Sequence, residues 1–252
     1  MKLTGRTILI TGGSSGIGLE LAGQLLGRGN VVIITGRDGK ALSAAQRRFP
    51  GLHVFQSDVG EIDGIRALHD TVVAQFPELD TLINNAGVMR VIRLVEDRSL
   101  EDVAREIDID LAGPIRMVQQ FLPQLLARPD GLIVNVSSGL AFVPFAISPI
   151  YSAAKAGLRA YTRCLRAQLR GSKVTVVELA PPLTATPLLS AEFAGMMPGQ
   201  NGMAVDVLVR RAIVGIEGGK VEIRPGQSNI LKIASRIAPE TIFRQLSKVG
   251  NA

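Results

Sequence analysis

The chain has 252 residues, 46% of them hydrophobic and 20% charged, which is the composition of an ordinary globular protein. Its single cysteine, Cys164, excludes an internal disulfide, and we expect this thiol to be buried. The net charge of +6 raises the question of nucleic acid, but the basic residues are scattered among acidic ones without interleaved aromatic residues, so we expect no nucleic-acid partner. Without a signal-peptide pattern or an apolar stretch of about 20 residues, we expect a cytoplasmic protein with no membrane partner.

Short apolar runs alternate with helical patterns along most of the chain. Nearly all-apolar strands of this kind are typical of a parallel sheet covered by helices on both faces. The sequence therefore predicts a Rossmann-type α/β fold, a doubly wound parallel sheet formed as a single domain over residues 1–252. The predicted strands are 7–10, 31–34, 53–55, 82–83, 131–136, 174–179 and 221–223, and the predicted helices are 17–26, 40–49, 62–76, 100–127 and 152–171.

The alternation stops after the sixth strand. Residues 181–203 contain four prolines together with glycines and apolar residues, which predicts a mobile substrate loop over the site. Residues 227–252 are expected to form a C-terminal helical segment that is broken at Pro239.

A glycine-rich turn joins the first strand to the first helix. Glycines allow the backbone to approach a pyrophosphate closely, and a helix N-terminus offers amide donors and a favourable dipole. The position between a strand and a helix supports the reading of this turn as a dinucleotide-binding site. Its predicted cofactor-binding residues are Gly12, Ser14, Ser15, Gly16, Ile17 and Gly18.

The end of the second strand indicates which dinucleotide binds. An acidic residue there would bond the ribose hydroxyls of NAD, whereas an arginine accommodates the 2′-phosphate of NADP. The sequence has Arg37 at this place with no acid before it, so NADP(H) is favoured over NAD(H). The neighbouring Asp38 could neutralise Arg37, and Arg37 could also be an ordinary surface residue.

A tyrosine and a lysine four residues apart open the helix after the fifth strand. Tyr151 and Lys155 lie on one helix face, and a nearby ammonium lowers the pKa of a phenol towards the range useful for general acid/base catalysis. Ser138 closes the fifth strand and could hold a substrate oxygen beside the tyrosine. These three are the predicted catalytic residues.

Together these motifs resemble the short-chain dehydrogenase/reductase family over nearly the whole chain. The resemblance implies hydride transfer between a nicotinamide and a carbonyl or secondary alcohol, with Tyr151 as general acid/base. It also implies that Lys155 bonds the nicotinamide ribose and that Ser138 orients the substrate. The further cofactor-binding residues that it implies are Asp58, Val59, Asn85, Ala86, Gly87, Tyr151, Lys155, Pro181 and Thr186.

Two positions depart from the family's pattern. Asp110 stands where the family has an asparagine that helps to hold a water in a proton relay, so we count it among the catalytic positions. A carboxylate there could raise the pKa of Lys155 and bind it, which leaves open a cofactor-binding sensor or assembly protein with little catalytic activity. Pro182 replaces the usual glycine after Pro181 and stiffens the substrate loop.

Residues 178–182 and 222–226 carry a narrower resemblance to the DltE-type branch of oxidoreductases. The loops after the strands supply mostly apolar residues, so the expected substrate is a small-molecule carbonyl or alcohol of apolar character. The expected lining residues are Leu140, Phe142, Val143, Phe145, Leu188, Leu189, Phe193, Met196 and Met197. No metal site is expected. The family resemblance implies a homodimer or homotetramer with helices 100–127 and 152–171 at the contact.

Overall fold

The computed structural model describes residues 1–188, 193, 195 and 202–248. Its seven strands form one parallel sheet in the order β3-β2-β1-β4-β5-β6-β7. The single-domain Rossmann-type fold expected from the sequence is therefore confirmed. The strands are β1 (Thr7–Thr11), β2 (Val31–Gly36), β3 (His53–Gln56), β4 (Leu79–Asn84), β5 (Gly131–Val136), β6 (Val174–Leu179) and β7 (Glu222–Ile223).

Helices cover both faces of this sheet, and two of them follow the last strand. The helices are α1 (Gly16–Leu26), α2 (Gly39–Arg48), α3 (Ile62–Gln75), α4 (Leu100–Ile107), α5 (Gly113–Leu126), α6 (Pro149–Gln168), α7 (Val205–Glu217), α8 (Gln227–Ile237) and α9 (Pro239–Ser247). None of the described helices is long and apolar enough to cross a lipid bilayer.

Successive residues of each central strand are buried on opposite faces of the sheet. Ile8 and Ile10 belong to one core cluster, whereas Leu9 between them belongs to the other. The same alternation occurs in β5, where Leu132 and Ile133 face opposite ways. Because side chains alternate along a strand, a sheet covered on both faces requires apolar residues at every position. This explains the continuous apolar runs in the sequence.

The single helix expected over 100–127 is wrong, because a π-helical turn (Asp108–Ala112) divides it into α4 and α5. The amide of Gly113 bonds to the carbonyl of Asp108, five residues back. Pro114 has no amide hydrogen, so the usual bond to the carbonyl of Asp110 cannot form and the helix widens locally. The turn lies directly beside the candidate site.

The expectation that Cys164 is buried is also wrong, since this thiol is exposed. The buried face of α6 includes Leu158, Thr162 and Leu165. At about 100° per residue, Cys164 points roughly 100° or more away from each of these positions. The helix period, rather than the chemistry of the thiol, therefore decides its exposure.

We expect Phe121→Ala to lower the free energy of unfolding by about 3–5 kcal/mol, because the substitution leaves a cavity beneath α5. Phe121 is fully buried among the residues of one core cluster. Urea denaturation followed by circular dichroism measures the change. The matched control is Leu126→Ala on the same helix, where the side chain is exposed and the expected change is small. Equal losses in the two variants would contradict the core assignment.

Candidate active site

A cavity of about 490 Å³ lies at the carboxyl ends of the central strands. β1 pairs with β2 on one side and with β4 on the other, so the strand order reverses direction at this point of the sheet. Doubly wound sheets bind ligands at such switch points. Two of the predicted site residues, Gly18 and Asp110, are not in its wall. The predicted residues that line it are Gly12, Ser14, Ser15, Gly16, Ile17, Arg37, Asp58, Val59, Asn85, Ala86, Gly87, Ser138, Tyr151, Lys155, Pro181 and Thr186.

The turn before α1 requires its glycines for two reasons. Gly12 and Gly16 have positive φ angles of 64° and 53°, which other residues rarely adopt. A Cβ atom on Gly12 would also lie 2.7 Å from the Cα atom of Ala86. Gly18 serves packing instead, since a Cβ there would approach the carbonyl oxygen of Gly12 to 2.3 Å. It lets α1 lie against the turn without lining the cavity itself.

The N-terminus of α1 has amide donors to offer to a ligand. Its N-cap residue, Ser15, makes no side-chain hydrogen bond to the first turn of the helix. The initial amides of a helix have no partner within the helix, so they can bind an anion placed at this end. The open cradle and these amides fit the pyrophosphate of a dinucleotide.

Asn85 and Thr11 hold the glycine turn against the end of β4. The side-chain amide of Asn85 donates to the carbonyl oxygens of Thr11 and Gly12 at 3.0 and 3.1 Å. The Thr11 hydroxyl in turn accepts from the backbone amides of Asn85 and Ala86. Asn85 is thus primarily a clamp on the turn, a role that the sequence pattern did not reveal.

Arg37 is exposed at the rim of the cavity. The carboxylate of Asp38 caps α2 by accepting hydrogen bonds from the amides of Lys40 and Ala41 at 2.8 and 3.2 Å. It forms no ion pair with Arg37, so the neutralisation that the sequence left open does not occur. Within the described part of the chain, Arg37 forms no ion pair with a carboxylate. Its guanidinium therefore remains available to an anionic group.

Asp58 and Val59 lie on the other side of the same rim. The Asp58 carboxylate pairs with Arg105 and accepts from the amide of Gly60 at 2.8 Å. These bonds fix the loop after β3, so Asp58 is held in one orientation beside the cavity.

Tyr151, Lys155 and Ser138 converge at the inner end of the cavity. Both Tyr151 and Lys155 project from the first turns of α6, and the lysine ammonium lies 5.6 Å from the centroid of the tyrosine ring. The Ser138 side chain acts on Tyr151 in the direction that lowers the pKa of its phenol. The Ser138 hydroxyl also accepts from the amide of Leu140 at 3.1 Å.

Asp110 forms a buried ion pair with Lys155. Its Oδ1 atom lies 3.1 Å from the lysine Nζ atom, and both side chains are almost fully removed from solvent. The carboxylate also accepts from the amide of Val88 at 3.3 Å, and the ammonium donates to the carbonyl oxygen of Val136. Since a Cβ on Gly87 would lie 2.7 Å from Oδ1, this glycine makes room for the pair.

The pKa values of these groups follow from burial and from this ion pair. Asp110 raises the pKa of Lys155, although burial of the ammonium acts in the opposite direction. Burial also raises the pKa of Tyr151 above its ordinary value, and the negative charge of Asp110 adds to this. Lys155 acts on the tyrosine in the expected direction and lowers its pKa, but desolvation outweighs this charge, so the net shift of the Tyr151 pKa is upward.

The substrate side of the cavity combines loops that are distant in sequence. Three of the expected lining residues, Leu140, Phe145 and Leu188, are in the wall, whereas Phe142 and Val143 are not. Phe193 is buried and stacks on Phe145 at 6.5 Å between ring centroids. Leu189, Met196 and Met197 lie outside the described residues. The structure adds the C-terminal residues Gln227, Leu231 and Leu246.

Glu106 is a buried acid that the sequence analysis missed. It is fully buried, accepts from the amide of Arg90 at 2.9 Å, and leaves its second oxygen without a hydrogen bond among the described groups. Burial raises its pKa, and the nearby Asp110 adds to that effect. Its spacing of four residues before Asp110 was the only signal in the sequence. No cluster of metal-ligating side chains occurs among the described residues.

Comparisons with known proteins identify the family. Residues 6–196 match the family model described as short chain dehydrogenase. The chain belongs to the short-chain dehydrogenase/reductase family. It is therefore a dehydrogenase/reductase enzyme, as the motifs predicted.

Relatives of this dehydrogenase/reductase cover its full length. It is 37% identical to "Uncharacterized oxidoreductase DltE" of Bacillus subtilis (strain 168), with 100% of each chain aligned. A short-chain dehydrogenase from Burkholderia cenocepacia in complex with NADP is 25% identical, with a TM-score of 0.83 over 98% of this chain and 99% of that one. One from Sphingobium yanoikuyae in complex with NADPH is 28% identical, with a TM-score of 0.81 over 95% and 94% of the two chains.

We expect Asp110→Asn to lower the pKa of Tyr151, because a neutral amide replaces the carboxylate while the ammonium of Lys155 remains. The chain has two tyrosines and no tryptophan, so tyrosinate absorbance reports directly on these groups. In a Tyr161→Phe background only Tyr151 titrates. The measurement is an alkaline absorbance titration of the protein without added cofactor.

The control is the Tyr161→Phe protein with Asp110 intact, in which Tyr151 should ionise above its ordinary value. Circular dichroism at each pH confirms that the protein is still folded. An unchanged or higher transition in the Asp110→Asn variant would contradict the electrostatic role of this carboxylate.

Proposed function

We propose that this enzyme is an NADP(H)-dependent oxidoreductase that interconverts a carbonyl compound and its secondary alcohol. The observation that carries the proposal is the convergence of Ser138, Tyr151 and Lys155 at the inner end of one cavity, with a glycine-rich helix N-terminus at the other end. Bound NADP(H) supplies or accepts the hydride in this reaction.

Under this proposal the dinucleotide lies along the row of loops after β1, β2, β3, β4 and β6. The amides at the start of α1 would bond its pyrophosphate, and Asp58 and Val59 would flank the adenine. Thr186 lies close to this turn, since a Cβ on Gly16 would come within 3.3 Å of its side chain. Thr186 and Pro181 would hold the nicotinamide end, next to Asn85, Ala86 and Gly87.

The preference for NADP(H) rests on Arg37. Its guanidinium is exposed at the rim, while the adjacent Asp38 carboxylate is engaged in capping α2. A guanidinium can form two parallel bonds to a phosphate, which the 2′-phosphate of NADP offers and NAD lacks. Two structural relatives are complexes with NADP and NADPH, whereas a third, from Brucella melitensis, is a complex with NADH, so the choice rests on Arg37.

The proposed chemistry uses Tyr151 as the general acid in reduction and as the general base in oxidation. In reduction its phenol gives a proton to the substrate oxygen as the carbonyl carbon receives the hydride. Ser138, which lines the same cavity as Tyr151, would donate to the same substrate oxygen and orient it. Lys155 would bond the nicotinamide ribose and favour the phenolate by its positive charge.

A second candidate is a cofactor-binding sensor or assembly protein with little turnover. The observation that favours it is the ion pair in which Asp110 Oδ1 lies 3.1 Å from Lys155 Nζ. This contact engages the ammonium that would otherwise bond the nicotinamide ribose. If the ion pair holds Lys155 away from the ribose, the protein would bind cofactor without turning substrate over, and Asp110→Asn would restore activity.

The apolar cavity wall supports a small or medium apolar carbonyl compound as substrate. A homodimer or homotetramer built on α4, α5 and α6 and a cytoplasmic location complete the proposal. Arg90, three residues after the cavity residue Gly87, pairs with Asp102 and is not in the cavity wall.

We expect Tyr151→Phe to lower kcat by about 100-fold or more, since general acid/base catalysis contributes roughly that much. NADPH binding, measured by fluorescence titration, should remain within a few-fold of the parent. Turnover is followed by NADPH absorbance with a panel of ketones and aldehydes. The control is Tyr161→Phe, on the same helix but outside the cavity wall. Equal activity in both variants would refute the role of Tyr151.

We expect Arg37→Gln to weaken NADPH binding by about 10- to 100-fold, because a charged hydrogen-bonded pair is lost. NADH binding should change little, so the ratio of the two dissociation constants measures the effect. Arg47→Gln, an exposed arginine on α2, serves as the control for net charge. A parallel loss of NADPH and NADH binding would contradict the assignment of Arg37 to the 2′-phosphate.

A further inference from the structure

The two C-terminal helices carry an apolar surface that faces away from the protein. Ile230, Ile233 and Ile237 in α8 are 65%, 53% and 79% exposed, and Phe243 in α9 is 37% exposed. The three isoleucines are spaced by three and four residues, so they form one stripe along α8. Isolated exposed apolar residues are ordinary, but a continuous stripe marks an interaction surface.

The opposite side of α8 faces the protein. Ser228 is fully buried, and Leu231 lines the cavity. At about 100° per residue the isoleucine stripe lies on the side of α8 opposite to these two residues. The stripe therefore does not belong to the protein core or to the cavity. α9 has no buried residue, so both helices lie at the surface of the protein.

The charged residues in and beside these two helices are predominantly basic. Between Arg224 and Lys248 stand five basic residues and one acidic residue. Arg224 and Lys232 pair with Glu222. The other three basic residues are exposed and form no ion pair with any carboxylate in the described part of the chain. They are Arg236, Arg244 and Lys248.

We propose that α8 and α9 dock this enzyme onto an anionic lipid surface, with the stripe of Ile230, Ile233 and Ile237 inserted at the interface. A helix that lies in the headgroup region needs an exposed apolar face and flanking basic residues, both of which are present here. Such docking needs no membrane-spanning helix, so neither the lack of one among the described residues nor the expectation of no membrane partner, which rested on that lack, opposes the proposal. Anionic headgroups would neutralise the unpaired charges.

Charge favours a lipid surface over a second copy of the chain. A two-fold contact through the same face would bring Arg236, Arg244 and Lys248 of both copies together, and like charges across an interface are costly. Because Leu231 and Leu246 of these helices line the cavity, docking would place the cavity wall next to the lipid.

The test is co-flotation of the full-length protein with two kinds of vesicle. One kind is phosphatidylcholine alone, and the other contains about one third phosphatidylglycerol, which supplies the anionic charge. We expect binding to the anionic vesicles that weakens as salt is added and is much weaker on phosphatidylcholine. Ile233→Gln with Ile237→Gln should abolish it, and Arg236→Gln with Arg244→Gln should reduce it by about five-fold per charge.

The matched controls alter exposed residues elsewhere. Val214→Gln removes a 68% exposed apolar residue on α7, and Arg47→Gln with Arg170→Gln removes two charges. Both controls should bind as the parent does, and thermal melting should show all variants folded. Binding that the isoleucine and arginine variants retain would overturn the proposal. So would failure of the parent to float, including the case in which light scattering shows a dimer that the isoleucine variant disrupts.

Discussion

The parallel pairing of β1 with β4 is the constraint on which the site depends. These strands are neighbours in the sheet although two other strands separate them in sequence. Their carboxyl ends therefore meet at one edge, and the loops that follow them are brought together there. Asn85, at the end of β4, bonds the carbonyls of the turn after β1. The cradle for a dinucleotide is thus a direct result of strand order and of the bonds that cross it.

The buried ion pair of Asp110 with Lys155 joins the π-helical turn to the candidate active site. The π-helical turn that carries Asp110 arises because Pro114 cannot donate a hydrogen bond, and the turn lies beside the cavity. A fully buried carboxylate is tolerated here because an ammonium and the amide of Val88 satisfy it. Asp110 raises the pKa of Lys155, and burial together with the charge of Asp110 raises that of Tyr151, so the position of this carboxylate links helix geometry to proton chemistry.

The C-terminal helices connect the site with the outer surface. One side of α8 contributes Leu231 to the cavity wall, and the opposite side presents the isoleucine stripe to solvent. A contact made at that surface would therefore lie across α8 from a residue of the cavity wall.

The sequence by itself determined the fold and most of the cavity wall. The evidence for them was the alternation of apolar strands with helices, the glycine turn and the spacing of Tyr151 and Lys155. These patterns involve residues that are close together in sequence, so they can be recognised without knowing the tertiary contacts. The tertiary structure alone decided the ion pair of Asp110 and the entry of Leu231 and Leu246 into the cavity. These depend on contacts between residues far apart in sequence, and on desolvation, which reversed the expected pKa shift of Tyr151.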